Sequence, residues 1–500
     1  MPTSRRIRSR LLAVSVLASA LLMVGLGVGL ANGQPASAAG PSGKGPSGPT
    51  FTSKAAVKAK QGKPLSFTVK TKGVPAAALT VVGALPPGVS FVDHGDGTGS
   101  LSDPTPLGGS YSVQLHAANA SGTADQTITL TVSSKLPLIR HVFVIMLENN
   151  DYSATFGHPS ADPYLATTLP SEGTLLQSYY GVGHFSNDNY TGLVSGQPPN
   201  TDNQLDCLGS GYVDFPAGDG QVNGIQQGTG CVYPAAVPTL ADQLDADGLT
   251  WKGYEEDMGN DPTRDGGVTC GHPAVGSSDG AASAEAQDGY ATRHNPFVYF
   301  HSIIDDTARC SADDVPMGDT SGAMPAGTPA GVTGLATDLQ SVATTPNFSY
   351  ITPNLCDDGH DSPCTNTTGA GQGGGSSAGD IDKWLQTWVP IITASPAFQK
   401  DGLLLITSDE AEDPNLDSTA CCGETAGPNS DNGKNGITGP GGGVVGAVLL
   451  SPFVPSGVVV SKTSYNHYSA LASIEDLFGL PRLGEAGTVT TNFDKHIYAP

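Results

Sequence analysis

The sequence predicts an α/β domain preceded by a small all-β domain, and three observations carry that reading. From Leu136 onward, apolar runs such as Val142–Leu147 and Gly402–Thr407 alternate with amphipathic segments, the pattern of strands buried on both faces and helices packed over them. Residues 51–134 show instead short alternating segments separated by turn clusters, the pattern of a β-sandwich. A length of 500 residues exceeds one ordinary core, so two domains with appendages are expected. The formal charge of −24 repels nucleic acid and anionic lipid, so no nucleic-acid partner is expected. An anionic substrate would have to be drawn in by local cations, such as a metal.

Taken in order, residues 1–39 read as an export signal: an arginine-rich start, an uncharged apolar run from Leu11 to Leu30, and Ala36-Ser37-Ala38 as a small-residue cleavage site. The core Ser4-Arg5-Arg6-Ile7 resembles a twin-arginine signal, which exports a folded protein, so a secreted or cell-surface location is expected. Residues 40–50 are Gly, Pro and Ser with one Lys and read as a flexible linker. Within 51–134, Leu65–Val69, Leu79–Val82, Tyr111–Leu115 and Thr127–Val132 are the strand candidates. The Leu-Pro-x-Gly-Val-x-Phe turn at Leu85–Phe91 and the Asp-x-Gly-Asp-Gly-Thr turn at Asp93–Thr98 resemble those of immunoglobulin-like modules in bacterial secreted proteins. The module has no cysteine and no cluster of catalytic groups. It reads as a spacer or adhesion domain with a cell-wall or surface ligand, and its Asp and Gly residues as turn chemistry in preference to a calcium site.

All eight cysteines lie after residue 136, at 207, 231, 270, 310, 356, 364, 421 and 422. An even count in an exported chain points to disulfides, and the lack of a Cys-x-x-Cys pair argues against zinc ligation. The connectivity stays open at this level.

The chemistry-bearing residues fall at the ends of the apolar runs. Glu148 and Asn149 follow the first, and a carboxylate beside an amide is half of a hard-cation site at the carboxyl end of a strand. Ser186, in Gly183–Gly196, precedes a largely apolar stretch and is placed at a helix start, where backbone N–H groups favour an anion; a plain helix cap is the bland alternative. A short helix is expected around Leu240–Leu244, then a strand at Leu249–Tyr254 followed by Glu255, Glu256 and Asp257, acids that line the site or are solvated. Arg293 and His294 are cationic or donor groups suited to phosphate oxygens. The strand Phe348–Asn354 leads to His360, flanked by Asp358 and Asp361, which can fix its tautomer. The glycine-rich stretch Gly369–Gly379 lacks the Gly-Lys-Ser/Thr ending of a P-loop, which discounts ATP. A helix around Ile381–Trp388 precedes the strand Gly402–Thr407, which ends in Ser408, Asp409 and Glu410, the same layout as at Glu148. His467 opens an amphipathic helix whose buried side is Leu471, Ile474, Leu477 and Phe478.

In this order the segments resemble the phosphoesterase family of secreted acid phosphatases and bacterial phospholipases C, within the alkaline phosphatase superfamily. The resemblance spans roughly 138–495 and rests on Glu148-Asn149, His184-x-Ser186-x-x-Asn189-Tyr190, Pro353-Asn354 with Asp358-x-His360-Asp361, Asp409-Glu410, and Asn466-His467-Tyr468 ahead of Gly479-Leu480-Pro481. It implies an alkaline-phosphatase-like α/β/α sandwich over 136–500. It also implies one divalent metal ion (Ca, Mg, Mn or Zn) held by Glu148, Asn149, Asp409 and Glu410, with Ser186 as both ligand and nucleophile. His360 and His467 would act as general acids, and Asn189, His184, Asp361, Arg293 and His294 would bind substrate. The chain departs from the family at Phe185 and Asp188, where Pro is common, and at Ser408, where Trp is common. The function expected is a secreted metal-dependent phosphomonoesterase of the acid phosphatase type acting through a phosphoserine. Its partner would be a small phosphate ester or a phospholipid head group. A phospholipase C-type phosphodiesterase and a non-catalytic surface-binding protein are the alternatives.

Overall fold

The alternating segments of the first part fold into eight strands: β1 (Ser47–Phe51), β2 (Ala56–Lys60), β3 (Leu65–Val74), β4 (Ala78–Val82), β5 (Ser90–Asp93), β6 (Thr98–Asp103), β7 (Gly109–Asn119) and β8 (Gly122–Ser133). The computed structural model describes residues 45–157, 160, 162–285, 287–361, 377–428, 436–494 and 496–498. The strands form two four-stranded sheets, ordered β1-β3-β6-β5 and β2-β8-β7-β4. Val113, Leu115 and Ala117 of β7 and Ile128, Leu130 and Val132 of β8 face the shared core with Leu65, Val69, Leu79 and Leu101, the period of two that a sheet face requires. Asp93 accepts from the Gly95 amide at 3.0 Å and Asp96 from the Thr98 amide at 2.9 Å, so both carboxylates close their own turns.

The linker expected over 40–50 needs correction, because residues 47–50 belong to β1 and pair with β3. Pro49 is buried there, and an edge strand accommodates a proline that a central strand would reject. The expected export signal and the start of the linker lie outside the described residues.

The α/β part is built on an eight-stranded sheet: β9 (His141–Leu147), β10 (Thr174–Leu176), β11 (Trp251–Glu255), β12 (Asp314–Pro316), β13 (Phe348–Thr352), β14 (Gly402–Ser408), β15 (Ala447–Leu450) and β16 (Val458–Val460), in the order β12-β11-β13-β9-β14-β15-β10-β16. From β12 to β14 every pairing is parallel, and β15 is antiparallel to both of its neighbours. Every residue of β9 is buried. Val142, Val144 and Met146 enter one core, and Phe143, Ile145 and Leu147 enter another on the opposite face. A continuous apolar run therefore marks a strand covered on both sides.

The first core is covered by α1 (Ser186–Ser195), α2 (Leu240–Ala246) and, among later helices, α4 (His467–Phe478); the second by α3 (Ser377–Ala394). Helix α2 starts with a capping box between Thr239 and Asp242. Helix α4 starts at Asn466, whose side chain accepts from the Ser469 amide, and stops at Gly479 at φ 76°. Leu471, Ile474, Leu477 and Phe478 are buried as their spacing predicts.

The sandwich rests on the C-terminal end of α4. Gln61 donates to the carbonyls of Asp476 (2.7 Å) and Leu477 (3.0 Å) in the last turn of the helix, sharing the Asp476 carbonyl with the capping Gly479 amide. Leu107 joins the first α/β core. Disulfides link Cys207 to Cys231, Cys270 to Cys310 and the adjacent pair Cys421 and Cys422, and Cys356 is also disulfide-bonded. Cys364 and most of the glycine-rich stretch lie outside the described residues. Among those described, no helix is long and apolar enough to cross a membrane.

Trp384 anchors the second face: it is fully buried, and its indole N–H donates to Glu256 at 2.9 Å. Trp384→Ala should cost about 3–5 kcal/mol in denaturant unfolding, while a loss under about 1 kcal/mol would mean that this helix face does not hold the sheet.

Candidate active site

The site is built where two central strands stop. In the parallel register Leu147 lies opposite Ser408, so Glu148 and Asp409 leave the sheet side by side. The Asp409 amide donates to the Leu147 carbonyl at 2.9 Å, and the Asn149 amide to the Asp409 carboxylate at 3.1 Å. The Glu148 amide reaches the Asp358 carbonyl at 2.9 Å, which ties in the loop after β13. Two apolar runs with acidic ends thus become one rim, the carboxyl edge at which open α/β sheets bind ligands.

Ser186 is the first residue of α1. Phe185 before it has φ 71° and ψ 150°, a conformation costing a side-chain-bearing residue about 1–3 kcal/mol. The surroundings hold it there. The Phe185 amide donates to Glu410 at 3.1 Å. The Asn189 side chain accepts from the amides of Val182 (2.7 Å) and Gly183 (3.2 Å) and donates to the carbonyls of Gly183 and Phe185. The turn aims the Ser186 hydroxyl at Glu148, to which it donates at 3.0 Å. A hydroxyl held on a carboxylate at a helix start is polarised toward alkoxide and lies at the positive end of the helix dipole.

Arg293 is buried and lies across this turn. Its guanidinium donates to the Ala282 carbonyl (2.8 Å) and to His360 Nε2 (2.9 Å), and its Nε is 3.8 Å from Asp206. Burial opposes its charge, but Asp206, then Glu148 and Asp358, outweigh burial and hold it above its ordinary value. Because a guanidinium only donates, His360 Nε2 accepts, and His360 Nδ1–H donates to Asp361 at 2.8 Å. His184 Nδ1 bonds Glu410 and Nε2 bonds the Asp417 carbonyl. Burial lowers its pKa, yet Glu410 more than compensates, so the net shift is upward and an imidazolium donates from both nitrogens.

Negative charge nevertheless exceeds positive charge here. Burial first, reinforced by neighbouring acids, pushes the Glu148, Asp358 and Asp409 carboxyls well above the ordinary range. Glu148 Oε1 and Asp409 Oδ2 are buried without a hydrogen-bond partner. His294, stacked on Tyr190 at 5.0 Å, lies between Asp358 (3.1 Å) and Glu148 (3.2 Å), and its Nε2 makes no hydrogen bond. Burial, then Arg293 and His360, keep its pKa well below the usual histidine value. A neutral imidazole has one N–H for two flanking acids, so its second nitrogen faces a carboxyl oxygen that needs a proton or a cation between them. Orphaned hard oxygens beside an unpaired nitrogen are a donor set that fits a divalent cation. Glu148, His294 and His360 can each offer an atom within 4.8 Å of the others, a nitrogen-containing set that shares Glu148 with the expected oxygen ligands.

A cavity of about 310 Å³ opens on this rim, lined by Asn149, His184, Ser186, Asp206, Arg293, His360 and Glu410, with Phe185, Leu208, Ala282, Glu412 and Pro414 at its walls. Several expected roles need correction. Asn189 is fully engaged in pinning the turn before Ser186 and does not line the cavity. His467 is buried under Asp409, donating through Nε2 to its carbonyl at 2.7 Å and accepting from Tyr179 at 3.1 Å, so it backs the rim and does not face a leaving group. Asp361 orients His360, and His294 belongs with the carboxylates. Glu256 and Asp257 line a separate acidic cavity of about 680 Å³. Asp206 and Leu208 went unread in the sequence, where the only local signal was Cys207 between them.

The model of the phosphoesterase family matches residues 159–481. The chain is 25% identical over 344 residues to a phosphate-repressible acid phosphatase of Penicillium chrysogenum, covering 68% of this chain and 59% of that one. It is 25% identical over 358 residues to a phosphatidylinositol-3-phosphatase of Mycobacterium tuberculosis, covering 71% and 82%. The chain therefore spans less than two thirds of the length of the Penicillium relative. A solved alkaline phosphatase superfamily protein from Vibrio parahaemolyticus is 11% identical, with TM-score 0.37 over 68% of this chain and 67% of that one.

Burial lowers the pKa of His467 from 6.5 to about 4, only partly offset by its bond to Asp409. The unfolded chain binds this proton first as pH falls, so the stability contribution is full above 6.5 and declines until the folded ring also protonates near 4. Across that window wild type should lose about 3 kcal/mol through this residue. His467→Gln, which keeps a donor toward Asp409, should flatten the corresponding slope in denaturant unfolding; an unchanged slope would refute the assignment.

Proposed function

Because the chain belongs to the phosphoesterase family, we propose that it is a secreted, metal-dependent phosphomonoesterase that acts through Ser186 and a phosphoserine intermediate. The observation that carries the reading is the Ser186 hydroxyl donating to Glu148 at a helix start, in one cavity with Arg293 and His360. Both relatives are named as phosphatases, which favours a monoester. Residues 136–500 would be the catalytic domain, and 51–134 an immunoglobulin-like spacer or adhesion module with a cell-wall or surface ligand.

Glu148, Asn149, Asp409 and Glu410, with Ser186, would hold one divalent cation. Bound there, a cation supplies charge that lowers the pKa of a coordinated hydroxyl and offsets the charge of a phosphoryl group. In the reaction we envisage, Ser186 Oγ attacks phosphorus and its proton passes to Glu148. The new phosphorus–serine oxygen bond forms as the bond to the alcohol oxygen breaks. Arg293 and the positive end of the α1 dipole stabilise the equatorial oxygens. His360 Nε2 accepts from Arg293, so it takes up a proton and, with Asp361 behind it, passes that proton to the departing alkoxide only once Arg293 has turned to the phosphate. Water then hydrolyses the phosphoserine. One observation favours the phospholipase C reading: Leu208 at the cavity wall is 52% exposed and offers an apolar alcohol a surface to lie against.

The test is release of p-nitrophenol from p-nitrophenyl phosphate and from p-nitrophenylphosphorylcholine, for the mature chain and Ser186→Ala, before and after chelation. The expected result is monoester hydrolysis that falls about 10³-fold or more with Ser186→Ala and is abolished by chelation. Hydrolysis of the choline ester alone would favour the phosphodiesterase, and an unimpaired Ser186→Ala would overturn the nucleophile.

A further inference from the structure

Asp206 enters the cavity on a turn that is built for it. The short helix Asn203–Leu205 ends with Asp206 and Cys207 both in the left-handed region, at φ 54° and 60°. Two consecutive side-chain-bearing residues rarely adopt this conformation, and here the surroundings impose it. The Asp206 amide bonds the Asn203 carbonyl at 2.9 Å, and the Cys207 amide bonds Asp202 at 3.0 Å. The Asn203 side chain is held by the Asn200 amide and by Tyr233, and Cys207 is bridged to Cys231, which is fully buried. This turn delivers a buried carboxylate whose Oδ1 accepts from the Asn187 amide at 2.9 Å and whose Oδ2 lies 3.8 Å from Arg293 Nε.

Asp206 therefore touches both parts that would receive a phosphate: the first turn of α1 next to Ser186, and the guanidinium across from it. The other nitrogens of Arg293 are held by Ala282 and His360, so Asp206 completes the set that leaves the guanidinium one orientation. We propose that Asp206, latched by the Cys207–Cys231 turn, is a positioning residue that sets Arg293 and the start of α1 for phosphate, acting through them and not on the substrate. This rests on the function proposed above.

The experiment is a double-mutant cycle on the mature chain with Asp206→Ala, Arg293→Ala and the double variant. The readouts are kcat, KM for p-nitrophenyl phosphate and competitive inhibition by inorganic phosphate. Asp206→Ala should raise KM and the phosphate inhibition constant about 10-fold while kcat changes less than about 3-fold. In the Arg293→Ala background the same change should have less than about 2-fold further effect on kcat/KM, the non-additivity expected of residues that act as one unit. Asp206→Asn, which keeps the acceptor for Asn187, should shift KM in the same direction by less, and it takes the place of alanine in the cycle if alanine prevents folding. Additive losses, unchanged phosphate inhibition or tighter phosphate binding would each overturn the proposal. Ser186→Ala in the same assay separates the two readings. Retained activity there removes the proposed function itself, whereas an inactive Ser186→Ala with an additive cycle removes only this inference.

Discussion

The constraint around which this molecule is arranged is the concentration of carboxylates in a dry rim. Glu148, Asp409 and Glu410 at the ends of central strands and Asp358 on the loop after β13 are all buried, where solvent cannot screen them and mutual repulsion is strong. Arg293 and the His184 imidazolium offset part of that charge. The remainder shows as carboxyls pushed well above their ordinary range and as oxygens without a partner. A structure that carries such a cluster must be stabilised elsewhere. The sheet supplies this with two apolar faces, α3 closing one and α1 with α4 the other.

The turn before Ser186 shows how that stability is put to use. Phe185 holds an unfavourable backbone conformation because Glu410 and Asn189 bond the backbone on both sides of it. The result is a short hydroxyl aimed at Glu148 from the start of a helix whose residues are all buried. Glu410 thereby serves two partners at once, the Phe185 amide and His184, and His184 in turn reaches the Asp417 carbonyl. His467 supports the same region from below through Asp409. The helix that carries His467 ends against Gln61 of the sandwich, so the first module is coupled mechanically to the element that backs the rim.

How much of this could be read from the chain differs by level. The strands at Val142–Leu147 and Gly402–Thr407 were legible because burial on both faces demands an unbroken apolar run. The helix at His467 was legible because its period of 3.6 is kept and Gly479 stops it. Strand β1 was concealed in a Gly-, Pro- and Ser-rich stretch, since composition reports average flexibility and not the partner strand that orders it. Among site residues, Glu148, Ser186, Asp409, Glu410, Arg293 and His360 converge on one region as expected. Asn189, His467 and Asp361 are present but act one layer back.

The sequence by itself determined which residues could do chemistry and where along each element they fall, because periodicity and strand ends are local properties. Only the tertiary structure decided which donor meets which acceptor. Whether a histidine faces a cavity or a backbone carbonyl depends on which helix is packed above it, a contact made between residues as far apart as 409 and 467. Asp206 is the clearest case. Only the adjacent Cys207 marks it, and its place against Asn187 and Arg293 exists only once a disulfide and two left-handed residues turn the chain back into the site.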